Sequence, residues 1–164
     1  MSFAESYLGQ LRVHVGSRPL LVIGVRVLIQ DDAGRILILK RSDTGDWGLP
    51  AGSLELGESL LDAIHREARE ETNATLEDVQ VFGVSSDPEV ECYTYPNGDQ
   101  IQNVSILATA RLAAGCVIGS NDGEADAFRF VAPEAIEPTS FSPPEFPAFA
   151  YFRAWRETGQ FQFV

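Results

Sequence analysis

Glu67, Glu70 and Glu71 stand at i, i+3 and i+4 in the stretch GSLELGESLLDAIHREAREETNA, which runs from Gly52 to Ala74. On a helix this spacing gathers the three carboxylates into one sector about 100° wide, with neighbouring side chains roughly 5–6 Å apart. Left alone, Glu67 and Glu71 repel each other one turn apart. A hard divalent cation reverses that sign, because Mg²⁺ takes carboxylate oxygens and keeps positions open for water and phosphate. The competing reading of the helix by itself is a solvated charged face. Arg66, next to Glu67, and the preceding loop Trp47-Gly48-Leu49-Pro50-Ala51-Gly52 tilt the balance toward a cation site. A loop so punctuated by Gly and Pro can bring backbone carbonyls close to the glutamates.

The elements that must hold these groups are legible around them. Ser59 is placed to cap a helix, with Asp62 three residues on as a capping-box partner. Leu61, Ile64, Ala68 and Thr72 fall on one seam at the 3.6 period and are expected to face the core, with Glu67 and Glu71 just beside them. Asn73 suits the left-handed conformation that ends helices. Ahead of the helix, Leu20–Gln30 and Arg35–Arg41 read as strands joined by the turn Asp31-Asp32-Ala33-Gly34. After it come strands over Val79–Ser86, Glu91–Tyr95, Gln100–Arg111 and Ala125–Val131, with a hairpin turn at Tyr95-Pro96-Asn97-Gly98-Asp99. Pro133–Ile136 reads as one short helical turn, Pro138–Pro147 as a Pro-rich loop, and Phe149–Thr158 as a terminal helix stopped by Gly159.

The Gly52–Ala74 segment resembles the Nudix box, G-x5-E-x7-R-E-U-x-E-E-x-G-U, where U is a bulky aliphatic residue. Gly52, Glu58, Arg66, Glu67, Glu70 and Glu71 match it at the right spacing, a far more specific signal than a lone GxGxxG. The chain departs from it at Asn73, in place of the late Gly, and at Ala68 and Ala74, in place of bulkier residues; no carboxylate is affected. More loosely, the likeness runs from about Leu20 to Ile136, through GRILILKR, GDWGLPAG, YPNGDQIQNV and DGEADAFRFVAPEAI. It implies an α/β/α sandwich with a mixed sheet: a single domain over residues 1–164, its core at about 20–136 between N- and C-terminal extensions.

It also implies a metal-dependent hydrolase that cuts a phosphoanhydride in a nucleoside diphosphate linked to another moiety, such as a nucleotide sugar or ADP-ribose. A nucleoside triphosphate pyrophosphohydrolase of the oxidised-nucleotide type is the alternative, and a non-catalytic nucleotide sensor a further one. By the same resemblance Glu67 and Glu71, with Glu70 and the Ala51 carbonyl, hold Mg²⁺ or Mn²⁺. Glu70, or a loop acid such as Glu124, positions the attacking water, while Arg66, Glu58 and Gly52 brace loop and helix. Members of this family are often homodimers.

Composition fits and narrows. The 164 residues with 45% hydrophobic content can bury a substantial core. No apolar run approaches the ~18 residues that span a bilayer, and MSFAESYLGQLR lacks the pattern of a signal peptide. A cytoplasmic location is the default expectation. A net charge of −12 argues against nucleic acid or an anionic membrane as partner, whereas cations bound to glutamates can still present positive charge to a small nucleotide substrate. Cys92 and Cys116 are too few for a disulfide scaffold and are expected as buried or half-buried thiols.

Among the remaining side chains, Lys40 and Arg41 end a strand within reach of a phosphate. Trp47, Tyr93, Tyr95 and Phe141 are candidates to stack on a nucleobase, against an ordinary packing role for each. Glu89 and Glu91 are alternatives to Glu124. His14 and His65 have no metal-ligand spacing, and neither a Ser/His/Asp constellation nor a Walker-type phosphate loop is present.

Overall fold

The computed structural model describes residues 3–120 and 123–164. Its elements are α1 (Tyr7–Val15), β1 (Leu20–Gln30), β2 (Ile36–Arg41), β3 (Trp47–Gly48), β4 (Ala51–Ser53), α2 (Leu60–Thr72), β5 (Leu76–Ser85), α3 (Pro88–Glu91), β6 (Cys92–Thr94), β7 (Gln100–Leu112), β8 (Ala125–Val131), α4 (Ala148–Thr158) and β9 (Gln162–Phe163), with 3₁₀ turns at Phe3–Glu5 and Pro138–Ser140. One mixed sheet runs β3-β2-β1-β7-β5-β9, with β4 added on β1, β6 on β7 and β8 on β2. Its spine is the parallel pair β1–β7, in register from Leu20↔Ile101 to Gln30↔Arg111.

β1 is a near-continuous apolar run that is buried on both faces from Gly24 to Ile29. Val25, Val27 and Ile29 pack with Ala63, Ile64 and Ala68 of α2. On the opposite side, Leu28, Ile36, Ile38 and Leu107 pack with Phe82, Phe141 and the α4 residues Phe149 and Phe152. The result is the expected α/β/α sandwich with a mixed sheet. α4 extends the terminal helix by one residue at its start, and Gly159 ends it at φ 69°.

The expected seam of α2 needs one correction. Ile64, Ala68 and Thr72 are buried, but Leu61 is 53% exposed and its neighbour Leu60 38%. Leu61 points the right way around the helix, yet the first turn meets no core, and burial starts one turn later at Ala63 and Ile64. Ile64→Ala is therefore expected to cost about 2–5 kcal/mol, and Leu61→Ala under about 0.5, as read from urea midpoints. Equal losses would contradict the assignment.

Other differences are local. Ala132 to Ala135 closes only a single hydrogen-bonded turn (2.9 Å), and the helical turn falls further on at Pro138–Ser140. Cys92 is exposed rather than buried, because it opens the short outer strand β6, while Cys116, half-buried, lies in the turn after β7. α1 follows a Ser6 cap, and its buried Arg12 donates to the carbonyls of Gly16, Arg18 and Gln100, tying the helix to the sheet.

Candidate functional site

Ser59 caps α2, its hydroxyl accepting from the Asp62 N–H at 3.2 Å, and Asn73 closes it at φ 56°, the left-handed conformation that lets Asn stand where the box has Gly. Between these caps Arg66 is the hub. Its Nε donates to Glu58 Oε1 (2.7 Å), and one terminal nitrogen donates to Glu58 Oε2 and to the Ser53 carbonyl (both 2.9 Å). The other donates to Glu67 Oε1 at 2.6 Å and reaches Glu70 Oε2 at 3.4 Å. Arg66 and Glu58 thus lock the segment before α2 onto the helix, and the guanidinium sits beside two of the glutamates.

β4 carries the other half of the site. It pairs antiparallel with β1, Arg26 opposite Ala51 and Val25 opposite Gly52. The Ala51 N–H donates to Glu71 Oε2 at 2.9 Å. A side chain at Gly52 would occupy the space of the Glu67 carboxylate, which gives that glycine its necessity. Glu67 and Glu71 are both almost wholly buried. Burial raises the Glu67 carboxyl to about 7, against the pull of Arg66, and raises Glu71 well above the usual range, with Glu67 adding like-charge repulsion. Two desolvated carboxylates, Glu67 paired with Arg66 and Glu71 drawn by the charge of Arg41, next to a main-chain segment, form a hard oxygen donor set. That suits Mg²⁺ or Mn²⁺. Among the described residues no three acidic, His or Cys side chains are grouped as a metal-ion cluster, and Glu67 and Glu70 both face Arg66.

A carboxylate outside the helix completes the arrangement. Glu145, buried in the loop before α4, accepts from the Leu49 N–H at 2.5 Å and lies 3.9 Å from Arg41. Leu49 and Ala51 thus present alternate N–H groups to Glu145 and Glu71. Burial raises the Glu145 carboxyl, opposed by Arg26 and Arg41. The sequence offered little to find it: a lone acid in Ser-Pro-Pro-Glu-Phe-Pro reads as loop.

Glu145 and β4, the strand that meets Glu67 and Glu71, line a cleft together with Arg26, Arg41, Tyr93 and Tyr95 among others. Arg41 is held by Asp43 through two 3.0 Å bonds. Tyr93 and Tyr95 meet edge to face at 5.0 Å. Trp47 does not line the cleft: Arg129 covers its ring at 4.1 Å and it packs on the α4-side core. Phe141 is in that core, and Lys40 pairs with Trp47 outside the cleft lining. Glu124 is exposed before β8 and does not line the cleft; its carbonyl takes the Ser42 N–H (2.9 Å) and hydroxyl (3.0 Å). The adjacent Asn121 and Asp122 lie outside the described residues. Glu89 is exposed, whereas Glu91 is fully buried against Arg26.

A NUDIX domain model matches residues 20–152, and the chain belongs to that family. It is 38% identical over 68 residues to a MutT-like protein of Streptomyces ambofaciens, covering 42% of this chain and 44% of that one. To an RNA pyrophosphohydrolase of Ruthia magnifica it is 33% identical over 73 residues, covering 44% of this chain and 40% of that one. The matched stretches therefore span less than half of these relatives. Among solved structures it resembles a UDP-X diphosphatase (TM-score 0.68, 16% identity, 96% of this chain and 73% of that one). It also resembles a NUDIX hydrolase from Nitrosomonas europaea (TM-score 0.66, 22% identity, 87% and 78%). Both likenesses concern the fold. No helix among the described residues is long and apolar enough to cross a membrane.

Proposed function

We propose that the protein is a divalent-cation-dependent hydrolase that cleaves a phosphoanhydride in a nucleoside diphosphate linked to another moiety. The observation that carries this is the pair of buried glutamates, Glu67 and Glu71, packed against β4 at the edge of an arginine- and tyrosine-lined cleft. Relatives whose names specify RNA pyrophosphohydrolase and 8-oxo-dGDP phosphatase support phosphoanhydride chemistry.

Glu67, Glu70 and Glu71, with the Ala51 main chain, would hold Mg²⁺ or Mn²⁺. Such a cation, when bound, neutralises phosphate charge and acidifies water. Arg66 and Glu58 keep α2 and β4 in register, and Arg41 offers a guanidinium to phosphate oxygens. Glu145, buried in the cleft wall with its pKa raised, is the acid best placed to take a proton from the attacking water. It assumes the role that the resemblance offered to Glu124. Nucleoside triphosphates remain the second substrate class, since the same carboxylates serve both.

EDTA is expected to abolish phosphate-bond cleavage across a nucleotide panel, and Mg²⁺ or Mn²⁺ to restore it. Full turnover in chelator would overturn the mechanism. Affinity for the cation should also fall as pH drops through about 7, because Glu67 must lose its proton to ligate. Mn²⁺ titrations at pH 6 and pH 8 that agree would contradict this.

A further inference from the structure

Beyond the glutamates, the cleft floor is a face of β1 and β7. Gly24 and Arg26 lie two residues apart on one strand, Asn103 and Ser105 on the other, and Gly24 is opposite Ser105, so all four share one face. Gly24 carries no side chain and leaves the floor flat. Arg26 breaks the otherwise apolar run of the central strand, yet it is only 5% exposed. Glu91, at 0% exposure, grips it through two 2.7 Å bonds, and the Ser105 hydroxyl fills a remaining acceptor position of Glu91 at 2.9 Å. A buried ion pair is no better for stability than an apolar pair of like size, so its presence in a cleft points to recognition.

A guanidinium has five N–H donors and Glu91 takes two. Arg26 lines the cleft with three donors not taken by Glu91, and Glu91 cancels its charge. Asn103 also lines the cleft, and its side-chain amide hydrogen-bonds no other described residue. Tyr93, across from Ile101, adds an aromatic wall.

We propose that this edge reads the nucleobase and selects rings with an exocyclic keto oxygen, as in guanine O6 and uracil O4, over the amino groups of adenine and cytosine at the same position. The proposal rests on the nucleotide-hydrolase reading of the cleft. Arg26, oriented by Glu91, donates to the keto oxygen, and Asn103 pairs with the ring edge beside it. An amino group would face Arg26 donor to donor and leave both unpaired. A phosphoryl group fits this spot less well, since Glu91 grips the guanidinium and the Glu145 carboxylate also feels its charge.

The test is calorimetric titration of the full chain with GMP, UMP, AMP and CMP, and with inorganic pyrophosphate as a phosphate-only probe. GMP and UMP are expected to bind about tenfold or more tighter than AMP and CMP. Asn103→Ala, which leaves the Arg26–Glu91 pair intact, should shrink that gap to about threefold or less. Arg26→Lys, which loses the fork, should erase it, and pyrophosphate affinity should change in neither variant. Equal affinity for the four mononucleotides, no binding of any, or an Arg26→Lys loss as large for pyrophosphate as for GMP would each overturn the proposal. If Arg26→Lys fails to fold, Asn103→Ala decides alone. Mononucleotide binding needs no turnover, so a keto preference in a protein without hydrolase activity would sink only the hydrolase reading.

Discussion

Replacing Glu71 with glutamine is expected to lower kcat by roughly 10²-fold or more and, in metal-free buffer at pH 8, to raise the melting temperature. The first effect follows from removing one charge from the cation cradle without changing shape. The second follows from burial. The amide oxygen still accepts from the Ala51 N–H, while the folded protein no longer carries a carboxyl whose ionisation burial and the neighbouring Glu67 oppose. Glu67 behaves in the same way, its folded pKa raised from 4.5 to about 7. Between those values the folded state binds more protons than the unfolded one, so stability falls as pH rises and the penalty is complete above about 7. For Glu67 alone that penalty is on the order of 3 kcal/mol, and it disappears in Glu67→Gln. Activity and stability thus move in opposite directions, and an added divalent cation should stabilise the wild type while leaving the glutamine variants nearly unmoved. Glutamine variants that turn over normally and melt early would mean that the acidic face is merely structural.

The sequence made these carboxylates visible because helix periodicity is local: i, i+3, i+4 spacing fixes who shares a face whatever the rest of the chain does. The same locality explains the strands read at their observed limits, Leu20–Gln30 and Ala125–Val131. It also explains the failures. Leu61 lies in the right direction on α2, but whether a first turn meets a core depends on what the fold places opposite it, which no period encodes. Trp47 carries a ring suited to stacking, yet its face is taken by Arg129 from β8, a partner 82 residues away in the chain. Arg26 and Glu91 look like an interruption and a loop acid until the sheet brings them to 2.7 Å. Cleft residues come from β1, β2, β4, β6, β7 and the loop before α4, so the cleft is assembled from long-range contacts, while the proposed cation ligands are written on one helix.

Glu145 sharpens that contrast and supplies the second large effect. Glu145→Gln is expected to cut kcat by roughly 10²-fold or more with KM little changed, the usual scale for loss of a general base. The loss should shrink as pH rises and hydroxide replaces the missing base. Stability should hold or rise, because the amide oxygen can still accept from the Leu49 N–H, the 2.5 Å bond that fixes Glu145 in the wild type, and the cost of ionising a buried carboxyl is gone. Burial raises the Glu145 carboxyl above its usual 4.5, bringing it nearer the pH at which a base both takes and returns protons readily. Glu124→Gln is the matched control. Glu124 is exposed and stands outside the cleft lining, so kcat should stay within about twofold. A crippled Glu124→Gln beside a silent Glu145→Gln would return the base to the loop before β8. Two silent variants would leave the proton to Glu70, the box carboxylate that reaches Arg66 only at 3.4 Å.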